Sequence, residues 1–254
     1  MALCIVLENK ALGRGNRWLK LEVRDPVALT HEPGTVVGLS LRRGQDLFRH
    51  AYTVSRADPE KRTLEFLYRV IPDGRMTPLL EALGPGSELQ MSGRGGHPIR
   101  NEVDTQPEGI VLVSTGTGIG PLYGFSRMAL ERNLKIPLKL FAGFREAQDA
   151  CLADELGQVA AQHANFEWRF SLSRPGAAWT GLRGHVTESM AEVLGPVGKL
   201  HFHLIGNGDM VVELYEVLML LGLTDERVTS EIYFNYPDSL DPERLKLLAS
   251  KFRF

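Results

Sequence analysis

The chain has 254 residues, 29 lysines and arginines against 31 aspartates and glutamates, and a formal net charge of −2. That length allows one large domain or two smaller ones, and the missing basic excess excludes a nucleic-acid-binding protein. Only two cysteines, Cys4 and Cys151, and no Cys-x-x-Cys exclude a zinc ribbon and an iron–sulfur cluster, which needs about four thiolates.

Residues 1–100 read as short strands between turn signals. Val6–Lys10, Trp18–Val23, Val36–Leu41, Ala51–Ser55, Leu64–Val70 and Ser87–Met91 are the expected strands. Such spacing predicts an antiparallel barrel or sandwich. One helix interrupts it: Thr77 has the chemistry of an N-cap, Pro78 suits the first helical position, and Gly84-Pro85-Gly86 ends the segment. Residues 95–109 are rich in Gly, Pro, Asn and acids, include His97, and read as a connection between domains.

From Ile110 the rhythm changes. Ile110–Val113 is a continuous apolar run, as expected of a strand buried on both faces. Leu138–Phe144, Phe166–Leu172, Leu200–Ile205 and Val228–Phe234 are four further strands. Helices fit Pro121–Arg132, Cys151–His163, Val186–Leu194 and Asp209–Leu221. The alternation predicts an α/β domain over residues 101–254 with a five-stranded parallel sheet. Asp241-Pro242-Glu243 starts one more helix, with Leu245, Leu247, Leu248 and Phe252 as its apolar face. The longest apolar runs, such as Val211–Leu223, are broken by Glu213 and Glu216, short of the ~18 residues of a membrane span. No secretory signal is evident, which predicts a cytoplasmic protein.

The first strand of this second half runs into Thr115-Gly116-Thr117-Gly118-Ile119-Gly120-Pro121. A glycine turn between strand and helix lets backbone N–H groups approach a pyrophosphate, and the helix N-terminus favours its charge. A Walker loop is excluded because its lysine is absent, and the dinucleotide fingerprint lacks its third glycine, where Pro121 stands. The ribose-binding acid expected about 20 residues later is missing too. Arg145 and Ser173-Arg174 end the next two strands instead. Basic groups there suit a ribose phosphate and favour NADP over NAD.

Gly116-Thr117-Gly118-Ile119-Gly120-Pro121 after an apolar strand resembles the pyridine-nucleotide motif of the ferredoxin–NADP reductase family, in its bacterial branch. Gly143-Phe144-Arg145 with Asp149, Ser173-Arg174, Gly206-Asn207-Gly208-Asp209-Met210 and Ser230-Glu231-Ile232-Tyr233-Phe234 resemble its later motifs. In the first half, His50-Ala51-Tyr52-Thr53 resembles the family's Arg-x-Tyr-Ser/Thr flavin motif. Leu67-Tyr68-Arg69-Val70 followed by Gly74-Arg75-Met76-Thr77 resembles the second flavin segment. The matches run in the family's order over residues 5–234.

The resemblance implies FAD on the first domain and NADP(H) on the second. It implies that Tyr52 lays its ring on the flavin and that Thr53 and Glu231 serve the reaction. Flavin contacts are expected from Arg49, His50, Ala51, the backbone of Leu67, Tyr68, Arg69 and Val70, and from Gly74, Arg75, Met76 and Thr77. Nucleotide contacts are expected from Gly116, Thr117, Gly118, Asp209 and Met210, with Arg174, Ser173, Arg145 and Arg183 at the 2′-phosphate. Tyr233, Phe234, Tyr236 or Phe254 would cover the flavin, or the tail after Phe234 only packs. The motif's arginine position holds His50, with Arg49 beside it, and either can meet the flavin phosphate. Ile205 stands where relatives often have a cysteine. No metal site is expected: His201 and His203 share a strand face but lack a third ligand. The implied activity is electron transfer between NADPH and a small one-electron carrier, ferredoxin or flavodoxin; the sequence leaves the oligomeric state open, with a monomer favoured. The competing readings are the reductase component of an oxygenase and a non-catalytic flavin- or nucleotide-binding module.

Overall fold

The computed structural model describes residues 1–24, 29–96, 99, 106–237 and 239–253, and of Arg94 only the backbone. Much of the expected connection, with His97, and also Phe254 lie outside the described residues. The first sheet has seven strands: β1 (Ala2–Ala11), β2 (Asn16–Val23), β3 (Val36–Arg43), β4 (Asp46–Thr53), β5 (Arg56–Asp58), β6 (Thr63–Arg69) and β7 (Glu88–Gly95). Their order is β4-β3-β7-β1-β2-β6-β5, antiparallel throughout. The expected antiparallel barrel domain is present as a half-barrel: among the described residues no ladder joins its two edges, although the chain leaving β4 bonds to β6 through Ser55 N and Glu65 O at 2.8 Å.

Alternation explains β1, where Ala2, Cys4 and Val6 are buried and Leu3 and Leu7 exposed. It fails in β6, buried from Thr63 to Tyr68, because this strand is covered on both sides. One side faces the first core; the other meets the second domain, whose core includes Trp18 and Leu67.

Helix α1 (Thr77–Glu81) sits between β6 and β7. Its N-cap is Met76, not Thr77, and the cap makes no side-chain bond. Thr77 Oγ1 instead accepts from Ile71 N at 2.9 Å, which ties the preceding loop to the helix start.

The second sheet is parallel, with β8 (Gly109–Thr115), β9 (Leu138–Phe144), β10 (Phe166–Leu172), β11 (Leu182–Arg183), β12 (Leu200–Asn207) and β13 (Val228–Phe234). Its order β11-β10-β9-β8-β12-β13 has six strands where five are expected. The extra one is a two-residue edge pairing with Ser171 and Leu172, too short to leave a periodic signal. The helices are α2 (Ile119–Glu131), α3 (Ala153–Gln162), α4 (Val186–Ala191), α5 (Gly208–Leu220) and α6 (Pro242–Ala249). Ile110, Leu112, Leu138 and Leu140 pack with α2 and α3; Val111, Val113, Phe202 and Leu204 pack with α4 and α5. That two-sided burial is why β8 reads as an unbroken apolar run.

Helix α6 is capped by Asp241, whose side chain accepts from Glu243 N at 3.0 Å. Leu248 and Phe252 join the core beneath α5, and Val197 N bonds Arg253 O at 2.9 Å. The tail is packed on the second domain.

The domains meet along α2. A Cβ on Gly124 would lie 1.6 Å from Ser55 O, and one on Gly120 would lie 2.7 Å from Leu67 Cβ. Only glycine permits that approach. Trp18 and Tyr123 meet edge to face at 6.2 Å, and Trp18 Nε1 donates to Glu65 Oε2 at 2.7 Å. A second contact forms where Asn16 Nδ2 donates to Asp149 O at 2.9 Å and Arg14 N to Gln148 O at 2.9 Å.

Candidate active site

The carboxyl ends of the parallel strands face the ends of β4 and β6 across a cleft of about 1110 Å³. The crevice lies where strand order turns around β8, the usual place for a ligand in an open α/β sheet.

The first domain's wall carries Tyr52, Thr53, Leu67, Tyr68 and Arg69, with Ala51 and Thr77 at its margin. Tyr52 and Tyr68 meet edge to face at 6.4 Å and 84°. Burial raises the pKa of both phenols, so both stay neutral. Tyr68 OH is held by Asn9 Oδ1 at 3.1 Å. Arg69 lies 3.7 Å from Asp149, a carboxylate that also accepts from Glu146 N.

At the centre the domains touch through chemistry. Thr53 Oγ1, at the end of β4, donates to Glu231 Oε1, on β13, at 2.7 Å. Burial raises the Glu231 pKa, and the Thr53 hydrogen bond partly opposes it. Tyr233 follows two residues on, its pKa raised by burial first and by the Glu231 charge second. Phe234 and Tyr236 stand exposed, at 54% and 74%.

The second wall begins at the turn after β8, a 3₁₀ turn over Gly116–Gly118. Gly116 has φ +55° and open space where a side chain would stand, so the cleft reaches its backbone. Gly118 differs: a Cβ there would lie 2.4 Å from Ile205 O, so this glycine serves close packing on β12. Thr115 Oγ1 accepts from Asn207 N at 2.8 Å, and Asn207 Oδ1 accepts from Asp209 N at 3.1 Å, capping α5. Asp209 and Met210 therefore enter the cleft at a helix N-terminus, which favours an anion. Arg145 and Arg174 leave adjacent parallel strands and are tied together by Arg174 N to Arg145 O at 2.8 Å. Both are exposed and line the cleft with Ser173.

The remaining expected residues stand elsewhere. Arg49 and His50 border a separate hollow of about 350 Å³. There the Arg49 guanidinium crosses Gly38 and donates to Ser92 Oγ. Arg75 lies over the Phe48 ring at 5.6 Å. Met76 turns into the first core, Val70 N bonds Gly15 O at 2.7 Å, and Gly74 N closes a turn onto Ile71 O at 2.8 Å. Arg183 donates to Trp179 O at 2.7 Å, away from the cleft lining. Ile205 is buried in the core, and burial pushes the Cys151 thiol up to about 12, which leaves it protonated and unreactive. His201 and His203 stack at 4.6 Å. Among the described residues no three or more metal-ligating side chains cluster, and no helix is long and apolar enough to cross a membrane.

Among the cleft residues with no motif behind them are Arg14, Thr187, Glu213 and Arg244. Arg14 had a usable signal, since Gly13 and Gly15 flank it at φ +75° and +71° in a tight hairpin. Arg244 arrives from the tail helix, and nothing local in the sequence links it to Glu213.

Residues 3–98 match the oxidoreductase FAD-binding domain family, and residues 112–214 match the oxidoreductase NAD-binding domain family. A ferredoxin–NADP reductase from Sorangium cellulosum is 29% identical over 224 residues, 85% of this chain and 91% of its own length. A glycine betaine monooxygenase reductase subunit from Chromohalobacter salexigens is 27% identical over 175 residues, 67% of this chain but 47% of its own. The chain thus spans about half of that longer kind of relative. Among solved structures, a cytochrome P450 reductase from Amycolatopsis superposes with a TM-score of 0.80 at 25% identity, over 93% of this chain and 70% of that one.

Proposed function

The chain belongs to the ferredoxin–NADP reductase family of flavoprotein oxidoreductases, and from that membership we propose that it passes electrons between NADPH and a small one-electron carrier through FAD. The reading assigns FAD to residues 1–100 and NADP(H) to residues 101–254, and places the protein in the cytoplasm as a monomer. The carrier is a ferredoxin or flavodoxin.

The observation that carries this reading is the Thr53–Glu231 bond, which sits where the two walls meet. On one side two neutral phenols offer ring faces; on the other, Arg145, Ser173 and Arg174 offer donors to a phosphate. The donor set fits a flavin against the first wall and a phosphorylated dinucleotide along the second. Bound there, the flavin supplies the exchange between paired and single electrons. The chain supplies position. Tyr52 presents its ring with the proton kept on its hydroxyl. Thr53 Oγ1 donates its hydroxyl proton to Glu231 Oε1 at the junction, and burial raises the Glu231 pKa, so that carboxyl keeps a proton of its own to higher pH than an exposed glutamate does. Gly116 and the start of α5 take the pyrophosphate, while Arg174 and Arg145 read the 2′-phosphate with charge-assisted bonds. On the first domain, Arg49 and His50 border the adjoining hollow together, and either can serve as the flavin-phosphate donor.

An absorption spectrum of the purified protein tests the assignment. We expect flavin bands that bleach on anaerobic addition of NADPH. A colourless protein that also fails to take up added FAD overturns it.

A second reading differs only in the acceptor. The monooxygenase reductase relatives support an oxygenase-linked carrier. Reduction assays against ferredoxin, flavodoxin and Rieske-type carriers separate the two.

A further inference from the structure

Besides exposed Asp209 at the start of α5, the nucleotide wall contains a carboxylate largely withdrawn from water, whose charge opposes an anion. Glu213 lies on the second turn of α5, lines the cleft, and is held inside it by Thr187 Oγ1, which donates to its Oε2 at 3.1 Å. Its side chain is 12% exposed, so water does little to screen its charge. The same cleft is lined by Arg145, Arg174 and the N-terminus of α5, all arranged to favour negative charge. An unpaired Glu213 works against them.

The chain answers that charge from its tail. Arg244, in the first turn of α6, points its guanidinium back over α5. Its Nε donates to Glu213 Oε1, and its Nη2 lies 3.4 Å from Glu188 Oε1 on α4. Lys251 reaches the other oxygen of Glu188 at 3.5 Å. The helix that carries Arg244 is anchored independently by Leu248 and Phe252 in the core. It is also fixed by the Asp241 cap. Arg244 is therefore positioned by packing, and its ion pair is the reason for a charged residue on that face of α6.

We propose that the C-terminal helix is an electrostatic shield for the nucleotide site: Arg244 neutralises Glu213, and without it the cleft repels the phosphates of the incoming nucleotide. Arg244 is a positioning residue and touches no reacting atom. The inference rests on the reading of this cleft as the NADP(H) site.

The test is a rescue. The dissociation constant of NADP⁺ is measured by calorimetry, and the KM and kcat for NADPH by steady-state reduction of ferricyanide, on the full chain. Arg244→Ala is expected to raise both Kd and KM about tenfold with kcat held within about twofold. Adding Glu213→Gln to that variant is expected to bring Kd and KM back to within about threefold of the parent, because the amide still accepts from Thr187 but carries no charge. A double variant as impaired as Arg244→Ala overturns the shield, since Arg244 then acts on the nucleotide or on folding directly. Arg244→Ala that leaves Kd unmoved overturns it as well. Arg174→Ala serves as the reference: if it also leaves Kd unmoved, the nucleotide assignment itself has failed. Thermal unfolding of each variant reports any loss of α6 packing separately from the loss of binding.

Discussion

The first domain presents its aromatic wall of the cleft from within strands, and the second presents its phosphate-recognising groups from beyond them. Tyr52, Thr53, Leu67 and Tyr68 belong to β4 and β6, so their places are set by ladder register against β3 and β2. Arg145, Ser173 and Arg174 lie past the last residues of β9 and β10 and are exposed. A change on the strand side disturbs a sheet and its core together. A change on the loop side removes a recognition group and little else. The contrast separates holding a flat ring system in fixed register from selecting one phosphate among soluble nucleotides.

The strongest way to break that contrast is to move the walls as units. Gly124→Val places side-chain atoms where Ser55 O already stands, 1.6 Å from the ideal Cβ. The seam must open, at a cost of at least several kcal/mol. We expect a drop of more than about 10 °C in Tm and loss of both flavin retention and NADPH oxidation. A variant that keeps its Tm shows that the seam does not hold the walls. Next in size is Arg174→Ala. A charge-assisted hydrogen bond is worth roughly 1.5–3 kcal/mol, so the KM for NADPH should rise about ten- to a hundredfold while NADH oxidation stays nearly the same. Equal losses with both nucleotides refute the loop-side recognition. The smallest effect sharpens the junction. The folded-state pKa of Glu231 lies above its unfolded value because of burial. Ionisation therefore disfavours the fold, and stability is lost as pH rises from about 4.5 through the folded pKa. Glu231→Gln should gain about 1–3 °C in Tm over the parent at pH 7.5 relative to the difference at pH 4. A difference independent of pH removes the buried-carboxylate account.

The same division governs what the sequence discloses. The strand β8 and its glycine turn are plain because an apolar run and a closely spaced set of glycines are local signals. The presence and parallel direction of β8, β9, β10, β12 and β13 follow from alternation with helices, whereas their order in the sheet does not. The two-residue β11 is invisible because period needs length. Thr77 reads as a cap because threonine before proline has that chemistry, yet its hydroxyl turns to Ile71; choice of partner is tertiary. Arg14 and Arg244 meet Glu146 and Glu213 across long stretches of chain, and no local pattern encodes such a meeting. Arg183 looks like Arg145 in sequence, but Trp179 O claims its guanidinium.

The glycine seam along α2 also constrains motion. Ser55 O sits where the missing Cβ of Gly124 would be, and Leu67 Cβ crowds that of Gly120. Sliding or hinging along this seam must first part Ser55 from Gly124 and Leu67 from Gly120, so the closeness that makes glycine necessary also resists movement there. Access to the cleft is then left to the side chains along its rim, of which Phe234 is large and exposed.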